Sequence, residues 1–461
     1  MSSVGNVNRI FRIQKCPYSV KCLVKPDENV LNSINNGVIK PRRHPGRVLP
    51  NSVLTPESFV KASVIALRDY PVKALVESSQ SMNRHLRYRV APTENDDYKE
   101  IAQQLQNRVI AKHSDYEIKS EQDEIRFRQM VKDKTKDLLR AKVYNWKPMN
   151  YDAHNSLVYL LGRSAAEYAV LVKILGEIQA RDPEFKPNSL FDFGSGTGTA
   201  SWAANTYWKN SIFEYYNVDT SRDMNDLAQL LLQGGTSTGV MPKGVFFRQF
   251  LPASNTTYDL VVSAYTMFEM PSAHDRLSNV LNLWNKTEKY LVIVEQGTNA
   301  GFKIINELRD FILQIQKEKS KGHVFSPCPH DNICPRFVLD DGTPCNFEVK
   351  YFTLPIGASS QQKRELYSYV VLKKGKRNEE EPKWPRLVRP TLVRSKHTIC
   401  RMCSPNGQLR EVIFTASKHT KPVYHCARST KWGDRLPMEI EDCMEGPNLD
   451  VEDENNSNEK M

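Results

Sequence analysis

Phe191-Asp192-Phe193-Gly194-Ser195-Gly196-Thr197-Gly198 is the stretch on which the reading of this chain turns. Three alternating glycines after an apolar run permit a tight turn and let backbone come close to a ligand with no Cβ in the way. A lone Gly-x-Gly-x-Gly carries little information, and its surroundings supply the rest. Ser189 to Phe193 reads as a short buried strand, a helix is expected to start near Thr199, and a second strand-like run, Ile212 to Val218, ends in Asp219. That carboxylate falls twenty-one residues past Gly198, where it can accept hydrogen bonds from both hydroxyls of a ribose.

Outward from the loop, a helix over Ser156 to Ala180 precedes it. Strand-like runs follow at Val245 to Phe250, Tyr258 to Ser263 and Tyr290 to Glu295, with helical stretches between them. Short apolar strands alternating with helices give a βαβ series and a parallel sheet. After a helix from Phe302 to about Lys319, the runs Phe347 to Phe352 and Leu366 to Lys373 are expected to close the sheet as an antiparallel hairpin, with a Cys-rich insertion, 323–346, just before it. This places the sheet domain at 151–375. Upstream, apolar residues recur at helical spacing among many charges, as in Ser58 to Leu67, so 27–150 reads as a helical region. Downstream, 383–437 reads as a small β-rich module with runs at Thr398 to Met402, Leu409 to Phe414 and Val423 to Ala427. At that size it needs a metal or a docking partner to be stable.

The loop has Gly at 194, 196 and 198 with Ala200 beyond and an acid at Asp192, which departs from the Gly-x-Gly-x-x-Gly of dinucleotide-binding folds. In this form it resembles class I S-adenosylmethionine-dependent methyltransferases. The resemblance implies an α/β, Rossmann-like sheet binding S-adenosyl-L-methionine, with Asp192 orienting its methionine end. Gly194, Ser195, Gly196 and Gly198 would lie along the cofactor, Asp219 would hold the ribose, and Arg248 or Gln249 would sit near the adenine. Catalytic residues are harder to name. The fourth strand runs into Tyr265-Thr266-Met267-Phe268-Glu269-Met270-Pro271, which has neither the Asn/Asp-Pro-Pro-aromatic signature of amine methylation nor a Cys nucleophile. Glu269 as a base and Tyr265 as a stacking platform are the candidates.

Cys328, Cys334 and Cys345 fall within eighteen residues, and Cys400 and Cys403 follow downstream. Zinc ligands usually come in closely spaced Cys pairs, whereas the Cys328-Pro329 and Cys334-Pro335 steps favour an iron–sulfur cluster held by four thiolates. Zinc is the alternative. Cys403, entering the turn Ser404-Pro405-Asn406-Gly407, is the favoured fourth ligand. Cys400 is the alternative, since strand alternation puts the two on opposite faces. Cys16, Cys22, Cys426 and Cys443 read as free thiols.

The chain's net charge of +11 is uneven: residues 438–461 hold nine acids and one Lys, leaving the rest at +19. A body that basic calls for an anionic partner, and nucleic acid suits it better than a membrane surface because no basic amphipathic stretch has an aromatic face. From Lys383 to Arg435 there are twelve basic residues and two acids. The acidic 438–461 stretch is expected to be disordered. No uncharged apolar run reaches membrane-spanning length. Arg9, Arg12, Lys15, Lys21 and Lys25 precede the first acid, Asp27, so 1–26 resembles a mitochondrial presequence.

Several stretches together resemble one family, the mitochondrial methyltransferase-like proteins that assemble the small ribosomal subunit. They are Tyr159-Leu160-Leu161-Gly162-Arg163-Ser164, the loop from Asp192 to Trp202, Glu295-Gln296-Gly297-Thr298-Asn299-Ala300-Gly301-Phe302, and Cys328-Pro329-His330 with Cys334-Pro335. Cys403 to Gly407, Ala427-Arg428 and Lys431-Trp432-Gly433-Asp434 complete the set. The resemblance covers residues 155–437. It implies the mitochondrial matrix, a 4Fe-4S cluster, an S-adenosylmethionine pocket, and binding to the small ribosomal subunit through its rRNA and proteins. It leaves open whether a methyl group is transferred: an assembly factor and an active rRNA methyltransferase are both consistent with these residues. Oligomeric state is not legible.

Overall fold

The computed structural model describes residues 22–143, 146–315 and 321–442. Most of the expected presequence and of the acidic stretch therefore lies outside the described residues, as do Cys16 and Cys443.

Among the described residues the central sheet has nine strands. Eight lie in the order Ser52–Val53, Phe347–Phe352, Gln362–Lys374, Thr287–Gln296, Tyr258–Ala264, Ser189–Phe193, Glu214–Val218 and Val245–Arg248, and Gly322–Ser326 also pairs with Gln362–Lys374. The five strands from Thr287–Gln296 to Val245–Arg248 are mutually parallel, with Leu190 opposite Tyr215 on one side and Leu260 on the other. Gln362–Lys374 runs antiparallel to both of its neighbours, so the expected closing hairpin forms. Chain order reverses direction between Ser189–Phe193 and Tyr258–Ala264. In an open α/β sheet that switch point, at the carboxyl ends of the strands, is where ligands bind.

The helix Ala165–Arg181 covers one face and is buried almost all round, Glu167, Lys173 and Glu177 included. A helix without a solvent face belongs to the core. It continues directly from Ala153–Tyr159 through a π-helical turn at Leu160–Ser164. Two apolar clusters lie on the two faces of the sheet, one around Leu171, Leu190 and Val292, the other around Phe191, Leu283 and Ile293.

Four features differ from the sequence expectation. The insertion does precede the hairpin, but its first residues belong to an edge strand that was not expected, Gly322–Ser326, so that this strand and Phe347–Phe352 pair with opposite halves of Gln362–Lys374. Gly322–Ser326 escaped notice because five residues around His323 give no alternation to read. Val423 to Ala427 is part of a helix, Lys421–Ser429, with Pro422 in its first turn. Its buried residues, Val423, Tyr424, Cys426 and Ala427, have helical spacing rather than the period of two. The third and fourth differences are linked. Met438–Asp442, the start of the expected acidic tail, pairs antiparallel with Cys22–Pro26, the end of the expected presequence.

That pairing answers how the small module holds together. Val24, Leu31 and Ile34 pack onto its core of Cys400, Met402, Val412, Phe414 and Cys426. The Asp434 carboxylate accepts from Val48 N–H at 2.8 Å and pairs with Arg47 at 2.6 Å, and Arg435 N–H donates to Gly46 O at 2.7 Å. The module thus extends its core with residues from the far end of the chain. It is joined to the sheet domain by Arg386, which meets Glu177 in a fully buried ion pair at 2.5 Å.

Candidate functional sites

The glycine loop lies at the switch point and lines a cavity of about 420 Å³, a size usual for small-molecule sites. Gly194, Ser195, Gly196 and Gly198 lead into the helix Thr199–Trp208, and the three glycines have φ of +72°, +50° and +76°. The N–H groups of Gly194 and Ser195 both donate to Val218 O, which folds the loop against the end of the neighbouring strand. A Cβ on Gly196 would meet only Tyr159 Cε1, at an ordinary contact distance of 3.8 Å.

Asp219 stands on the cavity wall, as expected for a ribose-holding carboxylate. One of its oxygens accepts from Gly196 N–H and the other from Ser221 N–H, each at 2.9 Å. Burial raises its pKa, and those two backbone donors oppose the rise. Gln249 also lines the cavity and donates to Thr220 O, whereas the exposed Arg248 turns back to Phe247 O. Of the two adenine candidates, only Gln249 reaches the wall. Asp192, Ser195 and Gly198 sit behind the lining. Asp192 is buried with one carboxylate oxygen unpaired, and burial together with Asp219 and Glu167 pushes its pKa up to about 8. Ser195 Oγ is likewise buried without a partner.

Both catalytic candidates reach the cavity. Tyr265 holds a left-handed backbone, φ +60°, at the end of its strand, with the Arg163 guanidinium 5.0 Å over its ring. Glu269 is bound up. Arg89 clasps both its oxygens, Met149 N–H donates to Oε2 at 3.0 Å, and Tyr151 OH donates to Oε1 at 3.3 Å. Sequence reading missed Arg89, Met149 and Tyr151, because a lone Arg at the end of a charged helix carries no sign of burial.

The second site is a cavity lined by Cys328, Cys334, Cys345 and Cys403 with Arg336, Phe347, Arg386 and Leu409. Burial and the neighbouring Cys328 thiol push Cys334 up to about 11, and the same two causes raise Cys403 well above the usual thiol range. Cys400 is elsewhere, in the core of the C-terminal module, with its Sγ 3.8 Å from Ala427 O. The predicted alternation holds: the strand His397–Cys403 sends residue 400 to one face and 403 to the other. His330, which sequence reading passed over, stands with Nε2 3.2 Å from Cys403 Sγ, and burial with the nearby Arg309 lowers its pKa to about 4. Among the described residues no three His, Cys, Asp or Glu side chains are arranged to hold a metal ion as they stand. The thiols share a cavity without forming a ready-made coordination sphere.

Arg309 donates to the carbonyls of His330 and Asn332, and Arg389 to Pro344 O and Asn346 Oδ1, so the insertion is held from both sides. Of the twelve basic residues between 383 and 435, Arg386, Arg410 and Arg435 are buried and serve the fold. Lys383, Arg394, Lys396, Lys418, Lys421 and Lys431 are exposed.

The profile of mitochondrial small ribosomal subunit Rsm22 matches residues 153–437, which takes in the thiol cavity and the glycine-loop cavity apart from its Pro148, Met149 and Tyr151 wall. The chain belongs to the Rsm22 family. This Rsm22-family chain is 36% identical over 405 residues to the human "Ribosome assembly protein METTL17, mitochondrial", covering 86% of each chain. It is 26% identical to "Rsm22-cox11 tandem protein 2, mitochondrial" of Schizosaccharomyces pombe, over 61% of this chain and 43% of that one. It is 21% identical to "Ribosome assembly protein RSM22, mitochondrial" of Saccharomyces cerevisiae, over 62% and 67%. Among solved structures it is similar to a putative RNA methyltransferase from Pyrococcus horikoshii, at 15% identity and a TM-score of 0.28 over 47% of this chain and 85% of that one. Among the described residues no helix is long and apolar enough to cross a membrane.

Proposed function

We propose that this protein is an assembly factor of the mitochondrial small ribosomal subunit, acting in the matrix, that binds S-adenosylmethionine without needing to transfer its methyl group. The observation that carries this reading is the state of Glu269: the cavity has room for the cofactor, but the carboxylate best placed to act as a base is held by Arg89, Met149 and Tyr151. A general base must be within reach of the proton it takes and free to take it. The human and S. cerevisiae relatives are both named ribosome assembly proteins.

The residues present fit the cofactor. A glycine at 196, facing Tyr159 across the cavity lining, leaves a cradle along the loop that a side chain would fill, and Asp192 keeps a buried, unpaired carboxylate oxygen behind it. Gly194, Gly196, Asp219 and Gln249 would hold it from the wall. When bound, it supplies an electrophilic methyl group. The second cavity fits a metal cluster by its donor set, four thiols from Cys328, Cys334, Cys345 and Cys403. A 4Fe-4S cluster is the reading and zinc its alternative, told apart by metal analysis. The exposed lysines and arginines of the C-terminal module are suited to the phosphates of rRNA.

The test replaces the only cellular copy with Gly196→Asp, which occupies the cradle, or with Cys334→Ser. Assembly that survives Gly196→Asp but not Cys334→Ser supports a factor for which methyl transfer is dispensable. Assembly lost with normally accumulating Gly196→Asp protein, together with transfer of labelled methyl to rRNA by the wild type, overturns it in favour of an active methyltransferase.

A further inference from the structure

Two antiparallel helices, Asn95–Lys112 and Glu121–Lys142, pack chiefly on one another, with Leu105, Val109, Val131 and Leu139 as their buried apolar residues. Both ends of this pair return to the same place. Arg89 lies just before it, and its guanidinium donates to Phe268 O at 3.1 Å and to both oxygens of Glu269. Trp146, Met149 and Tyr151 lie just after it. Trp146 Nε1 donates to Phe268 O at 3.0 Å, and Met149 N–H and Tyr151 OH to the Glu269 carboxylate. Glu94, at the entry to the first helix, accepts from Ala273 N–H at 2.8 Å.

The segment that follows the pair is also a wall of the cofactor cavity, which Pro148, Met149 and Tyr151 line together with the glycine loop. Tyr151 O accepts from Ser221 Oγ at 2.5 Å, and Ser221 N–H in turn holds Asp219. The Glu269 carboxylate, with the neighbouring Phe268 carbonyl, therefore pins the root of the helical pair and the cavity wall together, with 2% of the Arg89 side chain exposed.

We propose that Glu269 is a positioning residue that links the helical pair to the cofactor cavity, so that ligand occupancy and the pose of the pair bias each other. The proposal rests on the cofactor reading above. A ligand that needs the 146–151 wall in place stabilises the pinned root. By reciprocity, whatever binds the pair in its pinned pose tightens the ligand by the same factor. This gives a bound cofactor a use in assembly that requires no chemistry: it sets the pose of the pair.

The experiment is hydrogen exchange on the full chain with and without S-adenosylhomocysteine, beside a calorimetric titration. In the wild type, ligand is expected to protect the glycine loop, residues 146–151, and the base of the helical pair. In Glu269→Gln the loop is still protected, protection of the pair is lost, and affinity falls about tenfold, within the usual range of coupling between sites. Tyr151→Phe removes one hydrogen bond and leaves the ion pair, so it shows a smaller loss in a chain that still folds. Protection confined to the glycine loop in the wild type, or affinity in both variants equal to wild type, overturns the linkage. A wild type that shows no protection anywhere, the glycine loop included, instead overturns the cofactor reading on which it rests.

Discussion

The glycine-loop cavity takes part of its wall from residues close together in sequence, Phe193, Gly194 and Gly196, and adds Asp219 at the end of the next strand. The thiol cavity gathers Cys328, Cys334 and Cys345 from an insertion and Cys403 from a strand of another module. The first is shaped by sheet register and by two N–H groups on Val218 O, all within one sheet. The second exists only while the C-terminal module is docked. A site assembled across an interface should give its binding energy to that interface, and a site inside a sheet should not.

The largest effect expected from this contrast is at the thiols. If the thiols hold the proposed metal, Cys334→Ser should reduce metal in the purified protein to background and make the 386–437 module exchange faster with solvent. Structural metal sites contribute about 10 kcal/mol or more of apparent folding free energy. Cys400→Ser, in the module's own core, should keep its metal and lose only packing. Equal metal content in the two variants would break the comparison.

The Glu177–Arg386 pair sharpens it, because it joins the same two bodies without a metal, and each side chain is 3% exposed. Arg386→Met leaves a buried carboxylate short of its main partner and should cost about 3–5 kcal/mol in urea denaturation. Burial alone would raise the Glu177 pKa, but Arg386 and Arg181 outweigh it and hold the carboxyl at about 2, against an ordinary 4.5. A depressed folded-state pKa means that this stability is present above the unfolded value and is lost as pH falls from about 4.5 toward 2. Glu177→Gln should lack that acid-side decline in denaturation curves recorded at pH 7, 4.5 and 3.

The same contrast explains what could be read from the sequence. The glycine loop, Asp219 and the strands around them announce themselves locally, through spacing and apolar runs, and the structure places them at the switch point of a sheet. Cys328, Cys334 and Cys345 were legible as a group because they fall close together. Cys403 is favoured by the turn it enters, strand alternation makes it and Cys400 mutually exclusive, and the structure puts only Cys403 at the shared cavity. Arg89 and Glu177 were not legible, because a charge becomes structural through a partner about two hundred residues away, and spacing says nothing of that. The helix at Lys421–Ser429 was misread for a related reason: five apolar or aromatic residues in a short run fit either period until burial shows which face they share.

The smallest expected effects are within the glycine loop, where two neighbouring positions should separate stability from binding. Gly194 and Gly196 both have positive φ, so an alanine at either carries backbone strain of about 1–2 kcal/mol. At Gly194 the new Cβ would also meet Thr266 Oγ1 at 2.1 Å, and that hydroxyl donates to Phe193 O and Ala264 O across the two central strands. Gly194→Ala must push this side chain aside, so its melting temperature should drop further than strain alone dictates. At Gly196 the Cβ would enter the cavity, with Tyr159 as its nearest neighbour. Gly196→Ala should therefore lose only the strain in a thermal melt, yet bind S-adenosylhomocysteine more weakly in a titration. If Gly196→Ala proved the less stable of the two, the loop would depend on its ligand for its shape, and the contrast with the thiol cavity would collapse at the position where it is sharpest.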